Sequence, residues 1–247
     1  MGNNIDIFIC GHKPFDEIVK HKSYTNIFGG YKGNFEIKNG LTDNTRDNIS
    51  DLNGFYSELT SIYWVWKNLK LKDYVGFCHY RRYFDFLDNI PEIIDDKTII
   101  LPHLKRNLFS MRKDYAICHN VEDFDLMVDI LKEKKYFEED YLDWISNKKS
   151  DIFICNMFVM PRKHFEDYCE LFFSVMNEFL QRRGFKTMEE IVSFVQDNKD
   201  KYLKECSPND DVAYQSRIGG FLSERLFNFW VYKQKLEANL YSIKEIK

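Results

Sequence analysis

The sequence predicts a single α/β domain over residues 1–247, with a mostly parallel central sheet flanked by helices. Three observations point there. Short apolar runs of strand length recur at residues 5–10, 74–78, 98–101 and 151–160. Segments with apolar residues at helical spacing stand between and after them, the alternation expected of strands packed under helices. Hydrophobic residues make up 44% of the chain against 30% charged, enough for a substantial core and too apolar for disorder.

Residues 5–10, I-D-I-F-I-C, read as the first buried strand, ended by Gly11-His12-Lys13-Pro14. Ligands of open α/β sheets sit beyond the carboxyl ends of the strands, so a polar turn after strand one is a place for a nucleotide. His12 and Lys13 are therefore expected at the nucleotide end of a site. Residues 21–53 look irregular, with Gly29, Gly30, Gly33 and Gly40 followed by D-N-T-R-D-N-I-S at 43–50. A long polar loop in a compact domain is more often functional than ornamental, which brings Asp43, Asp47 and Asn48 to the same site. The plainer alternative is that Lys13 is solvated and the Asp/Asn cluster only shapes turns.

Residues 56–69 form a helix with Leu59, Ile62, Tyr63 and Trp66 on one face. Ser57 is its expected N-cap, and Glu58 then favours the positive end of the helix. The next stretch, D-Y-V-G-F-C-H-Y-R-R-Y-F-D-F at 73–86, begins as a strand and turns polar with no Gly or Pro between. Arg81 and Arg82 at the edge of a core are suited to grip phosphate or carboxylate, because a guanidinium donates two parallel hydrogen bonds. Alternatively they pair with the chain's own carboxylates, Asp85 among them.

Residues 98–101 make a strand stopped by Pro102-His103, and 121–135 and 137–146 make two helices. A strand over 151–160 carries one polar residue, Asn156, and Pro161 opens a long helix that ends near Gly184. From about 187 to 247 the chain reads as helical. Ser207-Pro208-Asn209-Asp210-Asp211 looks like an N-cap and first turn, and Gly219-Gly220 marks a break or the close approach of another backbone or a ligand.

Three predicted strands end in histidine, at His12, His79 and His103. If they are parallel neighbours their ends share one crevice, where the histidines either hold a metal ion or serve as hydrogen-bonding strand ends. The chain has no G-x-G-x-x-G, Walker or G-x-S-x-G sequence, so those phosphate loops and that hydrolase elbow are unsupported. Its net charge of -4 argues against a nucleic-acid partner, although Y-R-R-Y-F interleaves cations and rings. The six cysteines, Cys10, Cys78, Cys118, Cys155, Cys169 and Cys206, form no C-x-x-C pair. Reduced thiols without a signal-peptide pattern lead to the expectation of a cytoplasmic protein. No apolar run reaches membrane-spanning length, so any contact with the inner face of the plasma membrane is expected to be peripheral.

Several blocks together resemble one family. They are D-N-T-R-D-N-I-S (43–50), S-E-L-T-S-I-Y-W-V-W-K-N (57–68), D-Y-V-G-F-C-H-Y-R-R-Y-F (73–84), N-M-F-V-M (156–160) and G-F-L-S-E-R-L-F-N-F-W (220–230), with H-K-P at 12–14. They are similar to the domain-of-unknown-function family of bacterial capsular, exopolysaccharide and O-antigen gene clusters. The resemblance implies a GT-A-like fold and a glycosyltransferase, with a nucleotide-sugar donor, UDP-galactofuranose first, and a glycan or lipid-linked oligosaccharide acceptor. It also implies glycine where this chain has Arg46. GT-A enzymes carry an Asp-x-Asp that holds Mn or Mg on the donor diphosphate, and none follows the 74–78 strand here. Either other groups hold the metal or arginines neutralise the diphosphate. A non-catalytic carbohydrate- or nucleotide-binding module is the competing reading.

The donor site is expected to use His12, Lys13, Asp43, Asp47, Asn48, His79, Tyr80, Arg81, Arg82, Tyr83 and Asn156, and the acceptor side Arg217 and Arg225. The candidates for the catalytic carboxylate are Glu224, Asp85, Asp211 and Glu58; Glu58 and Asp211 are assigned to helix N-termini, which leaves Glu224 first and Asp85 second. Glu224 follows Gly219-Gly220 and lies among Phe221, Leu222, Leu226 and Phe227, where it acts as a base or else pairs with Arg225.

Overall fold

The computed structural model describes residues 4–92, 95–105, 109–149, 151–204 and 211–246. The chain forms a single α/β domain built on one sheet, as the apolar runs predict. Strand β1 (Ile5–Gly11) pairs in parallel with β2 (Tyr24–Phe28), which pairs in parallel with β3 (Leu41–Thr42). A 3-10 turn at Ser50–Leu52 leads into the short helix α1 (Asn53–Tyr56) and then α2 (Leu59–Asn68). Strand β4 (Tyr74–His79) returns beside β1, in parallel, and turns through Tyr80-Arg81 into β5 (Arg82–Phe84). Strand β6 (Thr98–Pro102) follows, then α3 (Met111–Cys118), α4 (Val121–Glu133) and α5 (Glu139–Asn147). Strand β7 (Phe158–Pro161) runs antiparallel between β4 and β6, so β6 points the same way as β4. After it come α6 (Arg162–Arg183), α7 (Met188–Asp197), α8 (Lys199–Tyr202), α9 (Val212–Gln215) and α10 (Ile218–Gln234). The last strands, β8 (Glu237–Tyr241) and β9 (Ile243–Glu245), pair with β6 and β5. The resulting order is β3-β2-β1-β4-β7-β6-β8.

The larger core lies on the helical face of the sheet. There Phe8, Phe77 and Phe158 meet α6 and α10 through Phe165, Tyr168, Phe172, Phe227 and Trp230. The high aromatic content therefore goes mainly into packing, as in the Phe77–Phe165 and Tyr168–Phe227 pairs, whose centroids lie 5.5 and 5.1 Å apart. A second cluster covers the other face with Ile5, Ile7, Ile9, Tyr83 and Phe84.

Several expectations are corrected. The 56–69 helix starts later, at Leu59, as α2, and a separate short helix, α1, precedes it. Ser57 ends the first with φ 57° instead of capping the second. The 151–160 strand is confined to its last part, because Cys155 and Asn156 stand in the left-handed region at φ 70° and 47° and turn the chain before β7. The irregular 21–53 segment holds β2 and β3. The C-terminal part is helical only to Gln234 and then adds two strands. Asp211 caps α9 by accepting from the Tyr214 N–H at 2.7 Å, as its position suggests. The rest of the 207–211 motif, like Cys206, lies outside the described residues. Arg46 has φ 52°, a conformation glycine adopts freely.

Candidate active site

A cleft of about 930 Å³ opens at the carboxyl ends of β1 and β4, closed on the other side by α3, α9 and the start of α10. Strand direction places it there: parallel β1 and β4 end side by side, with Cys10 opposite His79. His12, His79, Tyr80, Arg81, Arg82, Arg217, Glu224 and Arg225 all line it, together with Glu58.

Its first wall is cationic. The two-residue turn between β4 and β5 holds Tyr80 and Arg81 at its tip, and His79 pairs with Arg82 across the hairpin. The Arg81 guanidinium lies 5.0 Å from the centre of the Tyr80 ring, Lys13 Nζ lies 5.8 Å from it, and the His12 ring packs edge-on to it at 5.3 Å. Tyr80 is thus a platform for positive charge. Among the described residues no carboxylate pairs with Arg81 or Arg217. Arg82 meets Glu245 at 3.5 Å, with both side chains largely exposed, a pairing worth little. Burial first, and then Lys13, Arg81 and Arg217, hold the His12 pKa below the usual imidazole value. The groups that push His12 toward neutrality are therefore all cations, an arrangement that favours an anion.

The floor carries two carboxylates, organised by the left-handed turn at Cys155-Asn156. Asn156 Nδ2 donates to Glu58 Oε1 at 2.8 Å and to Ser223 Oγ at 2.9 Å. The Cys155 N–H donates to Glu224 Oε1 at 2.8 Å, and the Cys155 carbonyl accepts from His79 Nε2. Three strained or polar groups of one turn thus hold both acids and one histidine; backbone strain concentrates at such sites. Glu224 Oε2 meets Arg225 Nη1 at 3.1 Å, and Arg225 Nη2 meets Asp114 Oδ2 at 2.9 Å. The pairing anticipated as the alternative to a base role for Glu224 is present. Glu58 Oε2 has no hydrogen-bond partner among the described residues, so this acid keeps one oxygen uncommitted. Instead of serving only its helix end, Glu58 faces the cleft.

Beside Arg217 and Arg225, the far wall carries residues outside the expected set. Asp114, Ile117, Cys118 and His119 come from α3 and its end, and Tyr214 and Phe221 from α9 and α10. The His119 and Phe221 rings stack at 3.9 Å, with Tyr214 at 5.2 Å from Phe221. No local pattern marks these residues, because the wall forms only when α3 and α10 pack together.

The remaining expected residues lie outside the cleft lining. Asp43 is fully buried and accepts from the Gly30 N–H and Ser50 Oγ, which shapes the loop. Asp47 accepts from the Tyr63 hydroxyl, and Asn48 bonds within its own turn to Arg46 and Ser50. Tyr83 is buried in the second core cluster. Asp85 is exposed beyond β5, with its backbone N–H on the Ser242 carbonyl. Asn156 stands behind Glu58, and Lys13 at the rim over Tyr80. His103 ends β6 at the same sheet edge but is exposed and does not reach the cleft, so the three histidines do not meet. Among the described residues, no group of three His, Cys, Asp or Glu is placed to hold a metal ion.

Residues 6–196 match the model of a family described as a domain of unknown function, DUF4422, and the chain belongs to that family. The solved apo structure of WbbM, a bifunctional glycosyltransferase, is similar to 99% of this chain with a TM-score of 0.71 at 24% identity. The chain spans 46% of that structure's length, and at this identity the likeness is one of fold. Among curated proteins none matches the sequence. No helix among the described residues is long and apolar enough to cross a membrane.

Proposed function

We propose that this family member is a glycosyltransferase that moves a sugar from a nucleotide-sugar donor to a glycan or lipid-linked acceptor in bacterial surface polysaccharide synthesis. UDP-galactofuranose is the donor the family resemblance favours. The observation that carries the reading is a single cleft lined by Arg81 and Arg217, which pair with no carboxylate among the described residues, with two anchored carboxylates on its floor. Transfer breaks the bond between the anomeric carbon and the diphosphate, and the electron pair leaves on the diphosphate. Arg81 and Arg217, with the edge of His12, stand where that charge is neutralised. The acceptor hydroxyl forms the new bond to the anomeric carbon and gives up its proton to a carboxylate. Glu58 takes this role in our reading, because Asn156 orients one of its oxygens and leaves the other uncommitted, whereas both oxygens of Glu224 are engaged. Arg225, Asp114 and the Tyr214–Phe221 rings then form the acceptor side. The residues do not fit a diphosphate-bound Mn or Mg, since Glu224 and Asp114 are engaged by Cys155 and Arg225, Glu58 offers a single open oxygen, and the facing wall is cationic.

The test is UDP release from a panel of UDP-sugars with lipid-linked acceptors. Wild-type protein releases UDP with the matching pair. Glu58→Gln lowers turnover about 100-fold or more with donor affinity intact, and Glu224→Gln lowers it less. Binding of a UDP-sugar without UDP release from any pair identifies a binding module instead.

A further inference from the structure

We infer that Ser57 is a positioning residue: its hydroxyl aims Arg217 into the cleft, which is why serine stands where the backbone favours glycine. The inference rests on the reading of Arg217 as a contact of the donor diphosphate. Ser57 has φ 57° and ψ -131°, a region that a residue with a β-carbon enters only against steric resistance. The conformation is held from several directions. The Ser57 N–H donates to the Asn53 carbonyl at 2.7 Å, and the Ser57 carbonyl accepts from Asn53 Nδ2 at 2.7 Å and Thr60 Oγ1 at 3.2 Å. Across from it lies Gly220 of α10, where an added β-carbon would come within 3.1 Å of Ser57 Oγ.

All of these contacts except the last involve only backbone atoms of Ser57, and glycine would make them without strain. What glycine cannot supply is the hydroxyl, which accepts from Arg217 Nε at 2.8 Å. A guanidinium held at Nε keeps its two terminal nitrogens for a ligand. The ring faces of Tyr214 and Phe221, 5.7 and 5.8 Å from the guanidinium carbon, complete its seat. Strain at the α1–α2 junction and the direction of a cation on α10 are thus joined through one oxygen.

Two substitutions separate strain from aim. Ser57→Gly removes both the strain and the hydroxyl; Ser57→Ala keeps the strain and removes the hydroxyl. Each is expected to raise the Kd for UDP about tenfold, the worth of one charge-assisted hydrogen bond. Ser57→Gly should hold Tm within about 2 °C of wild type, since relief of strain offsets the added freedom of the unfolded chain, and Ser57→Ala should melt lower than Ser57→Gly. In an Arg217→Ala background neither should weaken UDP further. Nitrogen-15 NMR of the full chain without ligand should show the Arg217 Nε–H protected from solvent exchange, and the protection lost in both variants. Unchanged protection in Ser57→Gly overturns the inference. So does wild-type UDP affinity in Ser57→Gly when Arg217→Ala itself weakens binding. If UDP does not bind the wild-type protein, the nucleotide reading fails, and the Nε–H exchange still decides whether Ser57 aims Arg217.

Discussion

His12 reports most directly on the charge of the cleft. Burial and three neighbouring cations lower its pKa, so the ring is neutral in the ligand-free protein at neutral pH. Since the folded pKa lies below the ordinary 6.5, its contribution to stability is present above that value and is lost as pH falls through the folded pKa. A diphosphate beside the ring reverses the bias and favours the imidazolium, so binding takes up a proton. UDP affinity should therefore rise as pH falls from about 8 to about 6, and His12→Ala should flatten that part of the profile that exceeds the protonation of UDP itself. Titration calorimetry in two buffers of different ionisation enthalpy measures the uptake directly. Equal proton uptake by wild type and His12→Ala would place the anion elsewhere. That His12 and Arg81 line the cleft is legible in the sequence because both stand just beyond the ends of buried strands. Ser57 reads as an N-cap because a left-handed serine carries no Gly or Pro signal, and Glu58 ranks low as a base in the sequence because an acid next to a helix start looks like a helix-end charge.

Elements were legible where burial is symmetrical and illegible where it is not. β1, β4 and β6 are buried on both faces and read as apolar runs. β8 and β9 are exposed edge strands whose pairing partners, β6 and β5, are far away in sequence, so E-A-N-L-Y and I-K-E show no pattern of their own. β2 lies among glycines and Asp/Asn residues that read as loop. Of the break and the close approach that Gly219-Gly220 suggests, the structure has the close approach, made by side chains of Phe55 in α1 and of Ser57 just after it. A β-carbon at 219 would lie 2.4 Å from Phe55 Cε1, and Phe55 is fully buried with no room to withdraw. Gly219→Ala should therefore destabilise the protein by about 1–3 kcal/mol despite the better helix propensity of alanine, read as a lowered midpoint in urea unfolding. A midpoint at or above wild type would mean that α1 can slide along α10. Because Ser57 and Arg217 sit at the same junction, the variant should also weaken UDP binding.

Across the whole molecule the cleft depends on helices that hold its far wall to the sheet, and one buried acid ties several of them. Asp123 of α4 is fully buried, with Arg183 Nη2 at the end of α6 donating to it at 2.6 Å and the Tyr202 hydroxyl of α8 at 2.7 Å. Burial outweighs both partners and pushes its pKa up to about 6, from an ordinary 3.8. The folded chain thus keeps a proton that the unfolded chain has already released between about pH 4 and pH 6. Stability from this group is fully present below the unfolded value and is lost as pH rises through the folded one, a change on the order of 3 kcal/mol. Surface acids held by cations, such as Glu122 beside Lys201 and Glu178 beside Arg182, work in the opposite sense and lose their contribution as pH falls. The total profile therefore mixes the two, and substitution isolates the buried term. Asp123→Asn cannot ionise, so the stability of wild type relative to this variant should fall as pH is raised from about 4 to about 7, whatever its sign at either end. Paired urea titrations at several pH values measure that difference. A difference that is flat across the window, or that grows with pH, would show that Arg183 and Tyr202 hold the carboxylate ionised against its burial, and that this junction of α4, α6 and α8 is strongest when charged.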